Sequence, residues 1–325
     1  MSKPKTNHIC EKCKKGFSFK SGLDSHLKRK KPCVKASTEI ISELVEIAVE
    51  IVETRTVTEP EPEPEQNCIH NEDCIIGMGK IKSDSVDIIL CDPPYNIGKD
   101  FGNNSDKQEM GDYLIWCDTW IKECIRILKP NGTLYIYGFS EILAFIRVRI
   151  KINVRWIIWH YTNKTTPSLN FWQRTHESIL CCSKEKPQFN RDDVREPYTD
   201  TFLKNAAGKT RKDTKGRFGS KETTYVAHKN GALPRDVIKI PALAGGAGKK
   251  ERVNHPTQKP LELCTKLIKA SMNKTGETLL VVPFAGSGSE CVSAKQMNIN
   301  FIGYEINPDY VDLCKERLQS LNEAK

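Results

Sequence analysis

Asp92-Pro93-Pro94-Tyr95 places a carboxylate, a rigid backbone carbonyl and an aromatic ring directly after the apolar run Val86–Cys91. That run reads as a buried strand of a parallel sheet. The prolines supply no ladder donor, so the strand stops there. Ligands of open α/β sheets bind at the carboxyl ends of strands. The chemistry these groups suit is activation of an exocyclic base amine, whose lone pair is delocalised into its ring. Two acceptors, the Asp92 side chain and the Pro93 carbonyl, can hold both N–H bonds and draw the nitrogen towards tetrahedral geometry for attack on an electrophile. Tyr95 can stack on a base that has left a duplex. The plainer alternative is a strand followed by a Pro-rich turn, with Tyr95 as surface packing.

A second group lies far along the chain. Thr278–Val282 reads as a strand that opens into Pro283-Phe284-Ala285-Gly286-Ser287-Gly288-Ser289 and then a helix. A Gly-rich strand-to-helix turn lets backbone approach a ligand closely. The next strand, Asn300–Tyr304, ends in Glu305, placed to accept from ribose hydroxyls. His255-Pro256-Thr257-Gln258-Lys259-Pro260 precedes a helix that runs to about Met272.

A third group is metal-like. Cys10-x2-Cys13-x12-His26-x6-Cys33, with Phe17 and Leu23 between, has the spacing of a ββα zinc finger and its small apolar core. So short a segment cannot fold on apolar burial alone, so Zn2+ would supply its stability. Lys28, Arg29, Lys30 and Lys31 favour nucleic acid over protein as its partner.

These groups need elements to hold them. The 325 residues allow one large α/β domain and something small. No run of eighteen apolar residues occurs and the N-terminus lacks an apolar signal core, so a soluble, intracellular protein with no membrane partner is expected. Thirteen cysteines, an odd number scattered through apparent strands and helices, argue for reduced thiols rather than a disulfide framework. Charge is unevenly spread. Residues 1–35 carry 11 basic and 2 acidic side chains, residues 36–66 carry 1 and 9, and residues 184–252 carry 17 and 9. Two basic islands on an otherwise neutral body mark places for a polyanion.

The expected organisation is a finger over 1–36, an amphipathic helix and Glu/Pro linker over 37–66, and a catalytic domain over 67–325. The heptad seam Ile41, Leu44, Ala48 and Ile51 would either close a homodimer or dock on the main domain. Glu59–Glu65 alternates Glu with Pro and reads as a stiff spacer, reaching with its flanks roughly 40 Å. Residues 96–111, rich in Gly, Asn and Asp, read as a mobile lid over the site. Residues 184–252 are too long for an ordinary connection and read as a DNA-reading insert, with a solvated loop as the alternative.

Taken together, residues 67–325 resemble the S-adenosylmethionine-dependent DNA amino-methyltransferases of the permuted β group. The resemblance is carried by Ser85-Val86-Asp87, Asp92 to Asn96, Lys129-Pro130-Asn131-Gly132, His255 to Pro260 and Phe284 to Gly288. The finger resembles the two-Cys-two-His family, with Cys33 standing where a closer His is usual, and its Lys-Pro-Cys tail is similar to fingers of large DNA viruses.

The resemblance implies a Rossmann-like, seven-stranded, mostly parallel sheet with helices on both faces, in permuted order. It implies transfer of a methyl group from S-adenosylmethionine to adenine N6 in double-stranded DNA. Asp rather than Ser at 92 favours adenine over cytosine N4. Asp92, Pro93, Pro94 and Tyr95 would be catalytic; Asp73, Asp92, Lys259, Phe284, Gly286, Gly288 and Glu305 would line the cofactor pocket, with Lys259 on the cofactor carboxylate. Cys10, Cys13, His26 and Cys33 would hold zinc. Val282 stands where Asp is common, and Ser289 where Thr is usual. Val282 is what supports a rival reading, a catalytically weak DNA-binding protein on the same fold.

Overall fold

The computed structural model describes residues 8–11, 13, 15–28, 62–101, 106–163, 168–212 and 222–323. The chain divides into two compact units, 1–61 and 62–325. In the small unit, β1 (His8–Ile9) pairs antiparallel with β2 (Gly16–Phe17), and α1 (Lys20–Leu27) follows. Its interior is slight: the His26 ring lies 5.0 Å from that of Phe17, and Cys10 is buried. Cys33, Arg29 to Lys31 and the seam at 38–53 lie outside the described residues, as do Glu59 to Glu61 of the Glu/Pro spacer.

The large unit begins with β3 (Cys68–His70) and α2 (Cys74–Gly79), which lead into β4 (Val86–Cys91). Every residue of β4 is buried. Its alternation serves two cores: Ile88 and Leu90 join one, while Val86, Ile89 and Cys91 join the other. That is the pattern of a strand covered on both faces. The amphipathic α3 (Met110–Ile127) buries Tyr113, Cys117, Trp120, Ile121, Cys124 and Ile127 against the second core. Then come β5 (Leu128–Gly138), α4 (Ser140–Arg149), β6 (Asn153–His160) and β7 (His176–Ser183).

The basic stretch 184–252 is more regular than its sequence suggests. It holds α5 (Asp200–Asn205), a hairpin of β8 (Lys209–Lys212) and β9 (Glu222–Tyr225), and β10 (Val237–Lys239). Its ends are tied down. Asn190 Nδ2 donates to the carbonyls of Lys269 and Met272 at 3.0 and 2.7 Å, and Glu196 accepts from Arg235 at 2.8 Å and Lys266 at 3.3 Å. The Lys215-Gly-Arg217 segment lies outside the described residues. The chain closes with α6 (Leu261–Ser271), β11 (Leu279–Val282), α7 (Ser289–Gln296), β12 (Asn300–Tyr304) and α8 (Pro308–Glu323).

The main sheet runs β10-β6-β7-β5-β4-β11-β12-β3 and is parallel except at β7. It has eight strands rather than the expected seven, because the insert adds β10 beside β6. Strand β11 pairs with β4 although the two are distant in sequence, so the Gly-rich turn after β11 and Asp92 after β4 emerge side by side at one sheet edge. Buried Asp87 fixes this centre: its carboxylate accepts from Lys129 Nζ at 2.8 Å and from the Leu279 amide at 3.0 Å. No disulfide joins cysteines among the described residues. No helix among the described residues is long and apolar enough to cross a membrane.

Candidate active site

One cavity opens at the carboxyl edge of β4, β11 and β12, and Asp92, Pro93, Pro94, Tyr95, Lys259, Phe284, Gly286, Glu305 and Asp73 all line it. The two distant motifs thus meet at one place. Gly288 does not line it. It sits one residue deeper at the start of α7, with φ +75°, and a Cβ there would lie 2.8 Å from Cys314 Sγ. Its smallness lets α7 approach α8, and it acts on the cavity only through that packing.

At the β4 side the groups form a network. Both Asp92 oxygens accept from Lys259 Nζ, at 2.7 and 2.6 Å, and Asp92 Oδ1 also accepts from the Tyr95 hydroxyl at 2.7 Å. Oδ2 therefore keeps a lone pair for a further donor. Lys259 is 3% exposed. Burial alone would lower its pKa; the carboxylates of Asp92 and then Glu177 outweigh burial and hold it above the ordinary lysine value. Its ammonium is therefore directed to Asp92, where the resemblance puts it on the cofactor carboxylate. The Tyr95 ring is buried edge-on to Phe139, centroids 5.3 Å apart. Its hydroxyl is bonded to Asp92, and the residue lines the cavity. Tyr113 donates to the Pro94 carbonyl at 2.8 Å, leaving the Pro93 residue on the cavity wall.

Glu177, on β7, went unread in the sequence. Its Oε2 lies 3.3 Å from the Tyr95 hydroxyl and 3.8 Å from Lys259 Nζ, and burial raises its pKa. An acidic residue shortly before the apolar run Ile179–Cys182 of β7 is the signal that could have found it.

At the β11–β12 side, backbone dominates. Gly286 has φ +49°, a region that favours glycine, and a Cβ on it would lie 2.9 Å from His255 Nε2. Its amide donates to Glu305 Oε2 at 2.9 Å, and the Asn307 amide donates to Oε1 at 2.9 Å. Burial raises the Glu305 pKa. Asp73 caps α2, accepting from the Ile75 amide at 2.8 Å. Phe284 stands edge-on to Trp120, centroids 5.5 Å apart, and so presents a fixed aromatic edge. Burial lowers the His255 pKa to about 4, so its ring is neutral near pH 7. Val282 is wholly buried; the acidic side chain on this strand–turn–helix unit is Glu290.

The loop after Tyr95 folds over this edge. Asp106, 1% exposed, accepts from the amides of Asn96, Ile97 and Lys99 at 2.5, 3.2 and 2.7 Å. Asn307 donates to the Phe101 carbonyl at 2.9 Å, tying the loop to the β12 side. The described part of the loop expected as a lid lines the cavity through Ile97, Lys99 and Phe101.

In the small unit, ligand atoms of Cys10, Cys13 and His26 all lie within 4.8 Å of one another, and Cys13 Sγ is 3.2 Å from His26 Nε2. Two thiols and an imidazole so converged fit a tetrahedral zinc site with one further ligand.

Together these features define a class: an α/β fold with a carboxylate–Pro–Pro–aromatic edge facing a Gly-turn pocket. Residues 86–316 match the family model N6_N4_Mtase, DNA methylase, and the chain belongs to that family. It is 32% identical over 253 residues to "Type II methyltransferase M.HpaI" of Haemophilus parainfluenzae, covering 76% of this chain and 72% of that protein. It is 31% identical over 274 residues to "DNA adenine methyltransferase YhdJ" of Escherichia coli K12, covering 81% and 87%. Among solved structures, PvuII DNA methyltransferase (cytosine-N4-specific) shares the fold, with a TM-score of 0.55 at 15% identity over 77% of this chain and 85% of that one.

Proposed function

We propose that this protein transfers the methyl group of S-adenosylmethionine to N6 of adenine at a short site in double-stranded DNA. The observation that carries the reading is the shared cavity: Asp92 and the Gly286 turn line one space. The cofactor supplies an electrophilic methyl group on a cationic sulfur. Residues 283–287 line the cavity and would form the cradle, with Gly286 letting the His255 ring lie close against the turn. Glu305 would accept from the ribose, Phe284 would pack on the cofactor, and Asp73 would lie near its adenine.

Asp92 Oδ2 and the Pro93 carbonyl would each take one N–H of the target amine. Because that amine then has no N–H left for water, its lone pair is turned towards the cofactor side. Lys259 and Tyr95 fix the Asp92 carboxylate in place, so no reorganisation is needed when charge develops. The family's description and YhdJ's name support DNA as substrate, and YhdJ's name supports adenine.

DNA would lie across this edge. β6 runs parallel to β5, so the loop leaving it emerges beside Asp92, and there Leu169, Phe171 and Trp172 are 88%, 80% and 87% exposed. Apolar side chains of this kind wedge between base steps. The finger over 1–36 would hold zinc through Cys10, Cys13, His26 and Cys33, and linker 37–66 would make it a tethered second grip on the duplex. The test is nucleoside analysis of DNA methylated in vitro, with an Asp92→Ala control. N6-methyl-2′-deoxyadenosine that the control lacks is expected; methylated deoxycytidine alone would overturn the adenine reading.

A further inference from the structure

Three carboxylates and one ammonium share the buried end of the cavity. Asp92 pairs with Lys259, and Glu177 lies against Lys259 and Tyr95. Glu290 is left over. It is 3% exposed and lines the cavity, yet its Oε1 has no hydrogen-bond partner among the described residues. The reaction derived above gives it no task. The contacts its carboxyl group does make, from backbone and from the Cys264 thiol, are neutral, and a buried carboxylate oxygen left unpaired is costly unless the group gains a proton or a cation. Lys259 is committed to Asp92, and Arg317, the other cation facing Glu290, donates to the Ser287 carbonyl and Ser289 Oγ, so no described cation is bonded to Glu290 Oε1.

We propose that Glu290 is the counter-charge to the cofactor's cationic sulfur, and so the residue by which the site holds the charged methyl donor more tightly than the neutral product. This rests on the methyl-transfer reading above. Sulfur is cationic before transfer and neutral after it, while the ribose, adenine, ammonium and carboxylate are common to donor and product. A carboxylate that answers only the sulfur's charge therefore favours exchange of S-adenosylhomocysteine for fresh donor.

The electrostatic surroundings agree. Burial first, and Asp92 second, push Glu290 up to about 7. The groups facing it are Asp92 beyond β4, Tyr137 on β5, Lys259 and Cys264 at α6, and Cys314 and Arg317 on α8, with Cys291 on its own helix. Burial holds the thiols and Tyr137 above their ordinary values, so none of them ionises near pH 7. A cation beside Glu290 stabilises its ionised form. Donor binding then releases a proton to solvent below about pH 7, and donor affinity falls as the pH drops through that value. Glu177, also raised by burial, is separated from Glu290 by substitution.

The experiment is calorimetric titration of the full chain with S-adenosylmethionine and with S-adenosylhomocysteine at pH 6, 7 and 8, for wild type, Glu290→Gln and Glu290→Asp. Wild type should prefer the donor by about tenfold at pH 8, with the preference shrinking towards pH 6. Glu290→Gln should show a ratio below about twofold at every pH, through weaker donor binding alone, and Glu290→Asp should retain the preference. Equal weakening of both ligands by Glu290→Gln, or an unchanged ratio, would overturn the proposal. If the Gln variant does not fold, a pH-independent ratio in wild type overturns it equally. Wild-type protein that binds neither compound would instead remove the cofactor reading on which this one stands.

Discussion

The β4 side and the β11–β12 side of the cavity are built by different means. Across β4 the wall is a set of side chains from three places in the chain: Asp92 with Tyr95, Glu177, and Lys259, bonded to one another. Across β11 and β12 the wall is mainly backbone, a glycine turn whose amide is tied to Glu305 from the next strand. The first arrangement fixes a charge and an acceptor direction, as polarising a weak nucleophile demands. The second offers shape and tolerates a large ligand. Changes to the first should therefore act on rate, and changes to the second on cofactor affinity.

The sharpest test of that division is Asp92→Asn. Single-turnover methylation is expected to fall on the order of 10³-fold while the S-adenosylmethionine Kd moves only a few-fold. A comparable loss in both would erase the distinction. Lys259→Met probes the network behind Asp92. Lys259 now lowers the pKa of Glu177 and Glu290, opposing their burial; without it both rise further and Asp92 loses its partner. The rate should drop about 100-fold at pH 6 and less at pH 8, because protonation of the carboxylates deepens as pH falls. A uniform loss across that range would mean that Lys259 acts by packing alone.

On the other wall, Glu305→Ala should weaken S-adenosylmethionine binding about tenfold and leave the rate at saturating cofactor nearly unchanged. The smallest effect is expected from deleting residues 1–66. DNA binding should weaken several-fold with a shallower salt dependence, and single-turnover rate at saturating DNA should hold. Unchanged DNA affinity in the truncated protein would remove the finger from substrate binding.

The same division explains what could be read in advance. The cofactor wall is local: a strand, a turn and a helix in sequence order, with Glu305 closing the next strand. Its chemistry is visible in residues 278–305 alone. The catalytic tetrapeptide is local too, but its electrostatic state is not. Nothing adjacent to Asp92 indicates that Lys259 will meet it, because that contact depends on the pairing of β4 with β11. Glu177 was passed over for the same reason, and Glu290 because a Glu in a helix's first turn is ordinarily a solvated one. The insert looked irregular because its elements are short, and β10, three residues long, is recognisable as a strand only once β6 lies beside it.

The pairing of β4 with β11 bears on how the chain is made. β4 is the middle of the sheet and apolar on both faces, yet one of its two neighbours is encoded nearly two hundred residues later. During synthesis it must wait with one edge unsatisfied until almost the whole polypeptide has emerged. Contacts of such long range form slowly, and an open, greasy strand edge is a template for aggregation. Premature termination anywhere before β11 should therefore yield insoluble fragments rather than a partly active enzyme.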